Sequence, residues 1–141
     1  MDPVALIVQK YGGTSVADPD RMRAVAENVA FTRRHGNDVI VVPSAMGKTT
    51  DNLIKLANDV SKTQPGREMD MLITTGERIS MSLLCMALAD LGIDAVSFTG
   101  SQAGIVTDSA PRQNSGGAER VNVPAGIVTD SAPRMLNERQ S

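Results

Sequence analysis

The segment VQKYGGTS places a lysine, two adjacent glycines and two hydroxyl side chains directly after an apolar run. Glycine lets the backbone amides approach a phosphate group closely, and a lysine beside them adds a positive charge. Lys10, Gly12, Gly13, Thr14 and Ser15 are therefore candidate phosphate ligands. A tight turn that needs glycine for its backbone conformation explains the same residues, and the pattern alone leaves both interpretations open.

A second polar segment, PSAMGKTTDN, also follows an apolar run. Its GKT triplet resembles part of a nucleotide-binding P-loop, but that motif needs a glycine where Val42 stands, so a P-loop is excluded. Ligands of open parallel sheets bind at the carboxyl ends of strands. The hydroxyls here could thus bind a small polar substrate: Ser44, Thr49 and Thr50. A capping role for Thr49, Thr50 or Asp51 at the next helix remains the alternative.

The third candidate is Glu77 in the segment ITTGERIS. A carboxylate complements an α-ammonium group, and the preceding Gly76 allows a ligand or another backbone to approach. A solvated pair with Arg78 on the surface is the alternative. His35 is the single histidine, so a Ser–His–Asp triad is excluded, and no Cys or His cluster has metal-ligand spacing.

Continuous apolar runs and apolar residues at helical spacing predict the strands and helices that position these residues. Three apolar runs rich in β-branched residues predict buried strands: VALIVQKY from Val4 to Tyr11, DVIVVPSA ending at Pro43, and IDAVSFTG. Asp18 and Pro19 predict the start of a first helix, and Gly36 its end. A second helix carries Leu53, Leu56, Ala57 and Val60, and a third runs from about Met69 to Leu91 with the stripe Ile79, Leu83, Met86 and Ala87. Strands that alternate with helices predict an α/β fold with a mainly parallel sheet.

The last part of the chain follows a different pattern. The sequence AGIVTDSAPR occurs at residues 103–112 and again, unchanged, at residues 125–134. Two identical short copies do not make a repeat architecture, which needs several packing units. We therefore expect an N-terminal lobe over residues 1–108 and an atypical tail over residues 109–141, and we base no functional inference on the second copy.

Composition narrows the class of protein. The 141 residues are 41% hydrophobic but only 2% aromatic, which predicts a core of aliphatic side chains. The formal net charge of −2 gives no electrostatic reason to expect a nucleic acid or an anionic membrane as partner. The single cysteine, Cys85, lies in a helical pattern that predicts a buried, unreactive thiol. Without an apolar run of membrane-spanning length or a signal peptide, we expect a cytoplasmic protein.

Four segments in order, KYGGTSV, SAMGKTTDNL, TTGERIS and SFTGSQAGI, closely resemble the N-terminal half of the aspartokinases, which belong to the amino-acid kinase family. The resemblance covers residues 4–108. It implies an αβα sandwich with a mainly parallel central sheet. It also implies transfer of a phosphoryl group from ATP, with Mg²⁺ bridging its phosphates, to the side-chain carboxylate of L-aspartate, the first step toward lysine, threonine and methionine.

The resemblance also implies roles for individual residues. Lys10 matches the catalytic lysine that stabilises the transferring phosphoryl group. The phosphate-binding positions are Gly12, Gly13, Thr14 and Ser15. The positions that bind the amino-acid substrate are Ser44, Gly47, Thr50 and Glu77, and a further motif near the cleft contains Ser101, Gln102 and Gly104. The resemblance implies no metal site built by the protein itself.

The sequence departs from the family in several respects: the family's C-terminal regulatory domains have no counterpart in it, the pattern is lost past Thr107, and Pro43 and Lys48 differ within an otherwise matching motif. The glycine-rich GRGGSD-type motif that binds the nucleotide in the family is absent from these 141 residues. We therefore expect a truncated chain with little kinase activity alone and with exposed apolar surface, so that it forms a homo-oligomer or binds a partner chain that supplies the missing lobe. A non-catalytic module that binds an amino acid or serves in assembly, and an engineered fragment, are the alternatives.

Overall fold

The computed structural model describes residues 4–105 and 126–129. In this part of the chain, four strands and three helices follow one another: β1 (Leu6–Tyr11), α1 (Pro19–Arg34), β2 (Asp38–Pro43), α2 (Thr49–Val60), α3 (Gly66–Asp90), β3 (Ala95–Phe98) and β4 (Gly126–Thr129). The three predicted strands and three predicted helices are all present.

The strands form one sheet in the order β1-β2-β4-β3. β1 and β2 are parallel, and Lys10 lies opposite Val42 near their carboxyl ends. β4 is antiparallel to both of its neighbours, so β3 runs in the same direction as β1 and β2. Three of the four strands therefore end at the same edge of the sheet, and the predicted α/β class is confirmed.

β4 was not predicted. It comes from the second copy of AGIVTDSAPR, whereas of the first copy only residues 103–105 are described, in a turn after β3. Because the two copies are identical, their local propensities cannot decide which one pairs with β2 and β3. The predicted boundary at residue 108 and the rest of the tail lie outside the described residues, and the domain division stays a prediction.

One face of the sheet carries the hydrophobic core. Val39 and Val41 of β2 point to this face and are buried by α1 and α3. From α1 come Met22, Val25, Ala26 and Val29, and from α3 come Met81, Leu84 and Leu88. These residues match the prediction of an aliphatic core. We call this side of the sheet the covered face.

The opposite face of the sheet is open in the described residues. Leu6 and Val8 of β1 are 60% and 63% exposed, and Val96 of β3 is 42% exposed. Period-two alternation puts these side chains on the side away from the core, where Lys10 also points. We call this side the open face. Of an αβα sandwich, the described residues thus form the sheet and one helical layer.

α1 begins and ends where the sequence predicts. Asp18 is the N-cap, and its Oδ1 accepts a hydrogen bond of 2.8 Å from the backbone N–H of Arg21. Pro19 occupies the first turn, where its missing N–H costs nothing. The helix ends at Arg34, and Gly36 follows with φ of +85°, a conformation that glycine adopts without strain.

The predicted stripe of α3 was wrong. Ile79, Leu83 and Met86 are 50%, 40% and 64% exposed, and Ala87 is only partly buried. The residues that α3 buries are Gly76, Ser80, Met81, Leu84 and Leu88. The helix has apolar side chains on more than one side, so the spacing of its apolar residues is compatible with two different buried faces. The small residues Gly76 and Ser80 select the buried one because they allow its neighbours to approach closely.

α3 is also the one helix of the described residues that is long and apolar enough to span a membrane. Here it packs against α1, α2 and the sheet and buries Met81, Leu84 and Leu88 on one side. Cys85 on the same helix is partly buried against the core, and this burial raises the pKa of its thiol. A raised pKa disfavours the thiolate, in agreement with the predicted unreactive cysteine.

Candidate functional site

The first candidate loop follows the end of β1. Tyr11 is the last residue of the strand, and the backbone N–H of Ser15 donates a 3.0 Å hydrogen bond to the carbonyl oxygen of Gly12, which closes a turn. Lys10, Gly12, Thr14 and Ser15 are exposed, and a Cβ atom on Gly12 would meet nothing within 4 Å. The loop therefore presents backbone and a lysine side chain with open space around them, as a phosphate site requires.

α1 holds this loop from the other side. The guanidinium group of Arg21 donates a 2.7 Å hydrogen bond to the carbonyl oxygen of Thr14 and lies 3.6 Å from the carboxylate of Asp18. Asp18, which caps α1, is thus paired with Arg21, which contacts the loop. The start of the helix and the conformation of the loop are fixed together.

A row of side-chain hydrogen bonds fixes the direction in which Lys10 points. The hydroxyl of Tyr11 donates to Oε1 of Gln9 at 2.9 Å and accepts from Nδ2 of Asn28 at 2.6 Å. Nε2 of Gln9 donates to Oγ1 of Thr32 at 2.9 Å. Because Gln9 and Tyr11 bond to each other and to residues of α1, Lys10 between them points to the open face. Sequence reasoning missed this network, although the alternating polar residues of β1 are its signal.

The second candidate loop follows β2 and contacts the first one directly. The backbone N–H of Ser44 donates to the carbonyl oxygen of Tyr11 at 2.9 Å, and that of Gly47 donates to the carbonyl oxygen of Gly13 at 3.1 Å. Gly47 has φ of +46°, in the left-handed region. The structure therefore brings together the two polar segments that the sequence singled out.

Capping does not explain the hydroxyls of this loop. α2 begins at Thr49, its N-cap position is Lys48, and no side chain makes a capping hydrogen bond there. The alternative of Thr49, Thr50 or Asp51 as a helix cap is therefore wrong. Ser44 and Thr50 are both partly buried. Ser44 follows β2 directly and Thr50 lies in the first turn of α2, so both hydroxyl residues stand near the carboxyl edge of the sheet, where ligands of such sheets bind.

Glu77 lies on α3, one residue after Gly76. It is partly buried, whereas Arg78 beside it is exposed, which disfavours a purely solvated Glu–Arg pair. The preceding residue, Gly76, is buried against Ala45 of the second loop and Thr49 at the start of α2. A carboxylate thus follows directly on the point where α3 meets the loop, an arrangement that suits an ammonium group.

The third motif lies farther along the same edge of the sheet. Ser101, Gln102 and Gly104 belong to an exposed turn after β3, and Oε1 of Gln102 accepts a 2.9 Å hydrogen bond from the backbone N–H of Thr99. β4 separates β3 from β2, so this turn stands about two strand spacings, or about 10 Å, from β2. The structure does not bring these three residues into the two-loop contact.

The described residues include no group of three or more His, Cys, Asp or Glu side chains that could hold a metal ion. Among the residues that the structure describes, the exposed lysine at the end of β1 and the open backbone of Gly12 match the phosphates of a nucleotide. These groups fit a phosphate because amide N–H groups and an ammonium both complement negative charge.

Comparison with known proteins decides the family. The model of the amino acid kinase family matches residues 5–137. The chain belongs to the amino acid kinase family. The predicted resemblance to aspartokinases is confirmed: an aspartokinase of Mycolicibacterium smegmatis is 62% identical over 104 residues, and one of Corynebacterium glutamicum is 58% identical over 104 residues.

Both alignments cover 74% of this chain and 25% of the relative, so the chain spans about a quarter of the length of these members of the amino acid kinase family. The crystal structure of an aspartate kinase from Synechocystis shares 52% identity with a TM-score of 0.60. That match covers 62% of this chain and 15% of the other. The fold of the described residues is thus similar to a part of that kinase.

Proposed function

We propose that this chain provides the aspartate-binding and phosphate-neutralising part of an aspartate kinase, which transfers a phosphoryl group from ATP to the side-chain carboxylate of L-aspartate. The observation that carries the proposal is the contact of the two strand-end loops with each other and with α3. This contact supports a shared site at one edge of the sheet for Lys10, the glycine-rich turn, the hydroxyls and the carboxylate of Glu77. The names of the similar proteins support the same reaction.

In this proposal, Glu77 binds the α-ammonium group of aspartate, and the hydroxyls of Ser44 and Thr50 together with the backbone of Gly47 orient the rest of the substrate. These groups hold a small zwitterion through charge and hydrogen bonds. Positioning of this kind lowers the barrier because phosphoryl transfer needs alignment more than covalent help from the protein.

Lys10 and the turn of Gly12, Gly13, Thr14 and Ser15 act on the phosphate side. A carboxylate oxygen of aspartate forms a bond to the terminal phosphorus of ATP, the bond from that phosphorus to its bridging oxygen breaks, and ADP leaves. The ammonium of Lys10 and the amides of the turn neutralise the charge on the phosphoryl oxygens. Mg²⁺ bound to ATP supplies further charge neutralisation.

The proposal includes a partner and a location. Leu6 and Val8 on the open face and the stripe of Ile79, Leu83 and Met86 on α3 leave large apolar side chains exposed. Exposed apolar patches mark interaction surfaces. We expect that a second copy of the chain or another polypeptide covers them. A reaction that consumes ATP fits the expected cytoplasmic location.

The test is a calorimetric titration of the 141-residue chain with L-aspartate. The unchanged chain is expected to bind, and Glu77→Gln is expected to weaken binding by about tenfold or more because a charge-assisted contact is lost. Glu68→Gln is the matched control, since Glu68 is an exposed glutamate of the same helix. Equal affinities of the two variants, or no binding by the unchanged chain, would contradict the proposal.

A further inference from the structure

Gly76 occupies an unusual position in the interior of α3. It is buried, and a Cβ atom there would lie 3.0 Å from Cβ of Ala45 and 3.2 Å from Cγ2 of Thr49. Gly66 at the start of the same helix would meet nothing within 4 Å. Glycine is less favourable than alanine inside a helix. The close approach of the second loop is therefore the structural reason for a glycine at position 76.

Ala45 lies between this glycine and another one. A Cβ atom on Gly13 would lie 3.0 Å from the carbonyl oxygen of Ala45, and Gly13 accepts the hydrogen bond from the backbone N–H of Gly47. Ala45 itself is buried. The first loop, the second loop and α3 therefore pack as three layers, and two glycines remove the side chains that would separate them.

The spacing of these layers sets the position of Glu77, because Glu77 follows Gly76 directly on the helix. We propose that Gly76 is a positioning residue: by admitting Ala45 and Thr49 against α3, it brings the carboxylate of Glu77 to the hydroxyls of the second loop. The role assigned to Glu77 rests on the proposed function. The packing of the three layers does not.

The test adds a methyl group at position 76 and then removes the methyl group of Ala45, which packs against it. Gly76→Ala introduces the clash, and the double variant Gly76→Ala/Ala45→Gly relieves its shortest contact. Gly66→Ala is the matched control, since it makes the same substitution on the same helix in open space. Ala45→Gly alone gives the reference for the double variant.

Two readouts are measured on each variant: the dissociation constant for L-aspartate and the exchange rate of the Gly47 amide proton with solvent. Gly76→Ala is expected to weaken aspartate binding and to accelerate Gly47 exchange by about tenfold each, because small displacements of a binding group are costly. The double variant is expected to recover most of both losses relative to Ala45→Gly, and Gly66→Ala to match the unchanged chain.

The outcomes separate this proposal from the one on which it rests. Failure of the unchanged chain to bind aspartate would contradict the proposed function, and Gly47 exchange would still decide the packing of the layers. Unchanged exchange and unchanged binding in Gly76→Ala would overturn the role of Gly76. If Gly76→Ala does not fold, the double variant decides: aspartate binding as tight as that of Ala45→Gly supports that role, and weaker binding or failure to fold contradicts it.

Discussion

On the covered face of the sheet, Val39 and Val41 are almost completely buried under α1 and α3, whereas on the open face Leu6 and Val8 are mostly exposed. In the described residues, helices thus cover one face of the sheet and leave the other face exposed. Lys10 points to the open face, and Glu77 belongs to the helix that packs on the covered face.

This difference suggests how the two halves of the proposed site are divided. The groups assigned to aspartate belong to the second loop, the start of α2 and α3, which pack closely at Gly13, Gly47 and Gly76. The groups assigned to phosphate lie at the exposed end of β1. The two faces of the sheet meet at the loops of its carboxyl edge. The proposed phosphoryl transfer therefore takes place between the exposed end of β1 and the packed region of the second loop and α3.

The strongest contrast is expected between two adjacent leucines of α3. Leu84 is completely buried on the covered side, whereas Leu83 is 40% exposed. Leu84→Ala is expected to lower the free energy of unfolding by about 2–5 kcal/mol, because it leaves a cavity in the core. Leu83→Ala is expected to cost less than about 1 kcal/mol. Urea unfolding measures both, and equal losses would show that the assignment of the buried stripe is wrong.

A smaller effect is expected on the open face. If a second copy covers that face, Val8→Lys is expected to weaken self-association by about tenfold, since it places a charge in an apolar contact. Light scattering over a range of concentrations measures the association. Asn52→Lys, which adds the same charge at an exposed position of α2, is the control. An unchanged chain that stays monomeric throughout would show that a second copy does not cover the open face.

The smallest effect is expected at the edge between the faces, where Asp18 caps α1. Asp18→Ala is expected to lower the free energy of unfolding by about 1 kcal/mol because the first turn loses its acceptor. Asp18→Asn keeps an acceptor and is expected to retain most of this stability. Asp20→Ala changes an exposed acidic residue of the same turn and is the control. Thermal unfolding that ranks Asp20→Ala as the more damaging change would contradict the capping role.

Local chemistry made much of the fold predictable. The two ends of α1 are set by Asp18 and Pro19 at its start and by Gly36 after its end. These residues act through contacts within a few residues of the chain, so the sequence alone indicates where the helix begins and ends. The buried stripe of α3 depends instead on which neighbours approach Gly76 and Ser80, and this is a tertiary property. β4 was missed because two identical segments have identical propensities, and only the assembled sheet distinguishes them.

The site divides in the same way. The polar segments after β1 and β2 were predicted because lysine, glycine and hydroxyl residues at strand ends form a pattern. A close approach to Gly76 was predicted, but its partner Ala45 and the hydrogen bond from Gly47 to Gly13 were not, since they join residues far apart in the chain. The roles assigned to Lys10, Ser44, Thr50 and Glu77 stay predictions.

The most direct measurement is a titration of the isotope-labelled chain with L-aspartate, followed by the chemical shifts of its backbone amides. The largest shifts are expected on the contacting loops and on α3 beside them, at Gly13, Ser44, Gly47 and Glu77, and Glu77→Gln is expected to require about tenfold more aspartate, or more, to produce them. Shifts concentrated elsewhere, such as in the groove between α2 and α3 lined by Leu56, Val60 and Leu72, or no shifts at all, would contradict the proposed site.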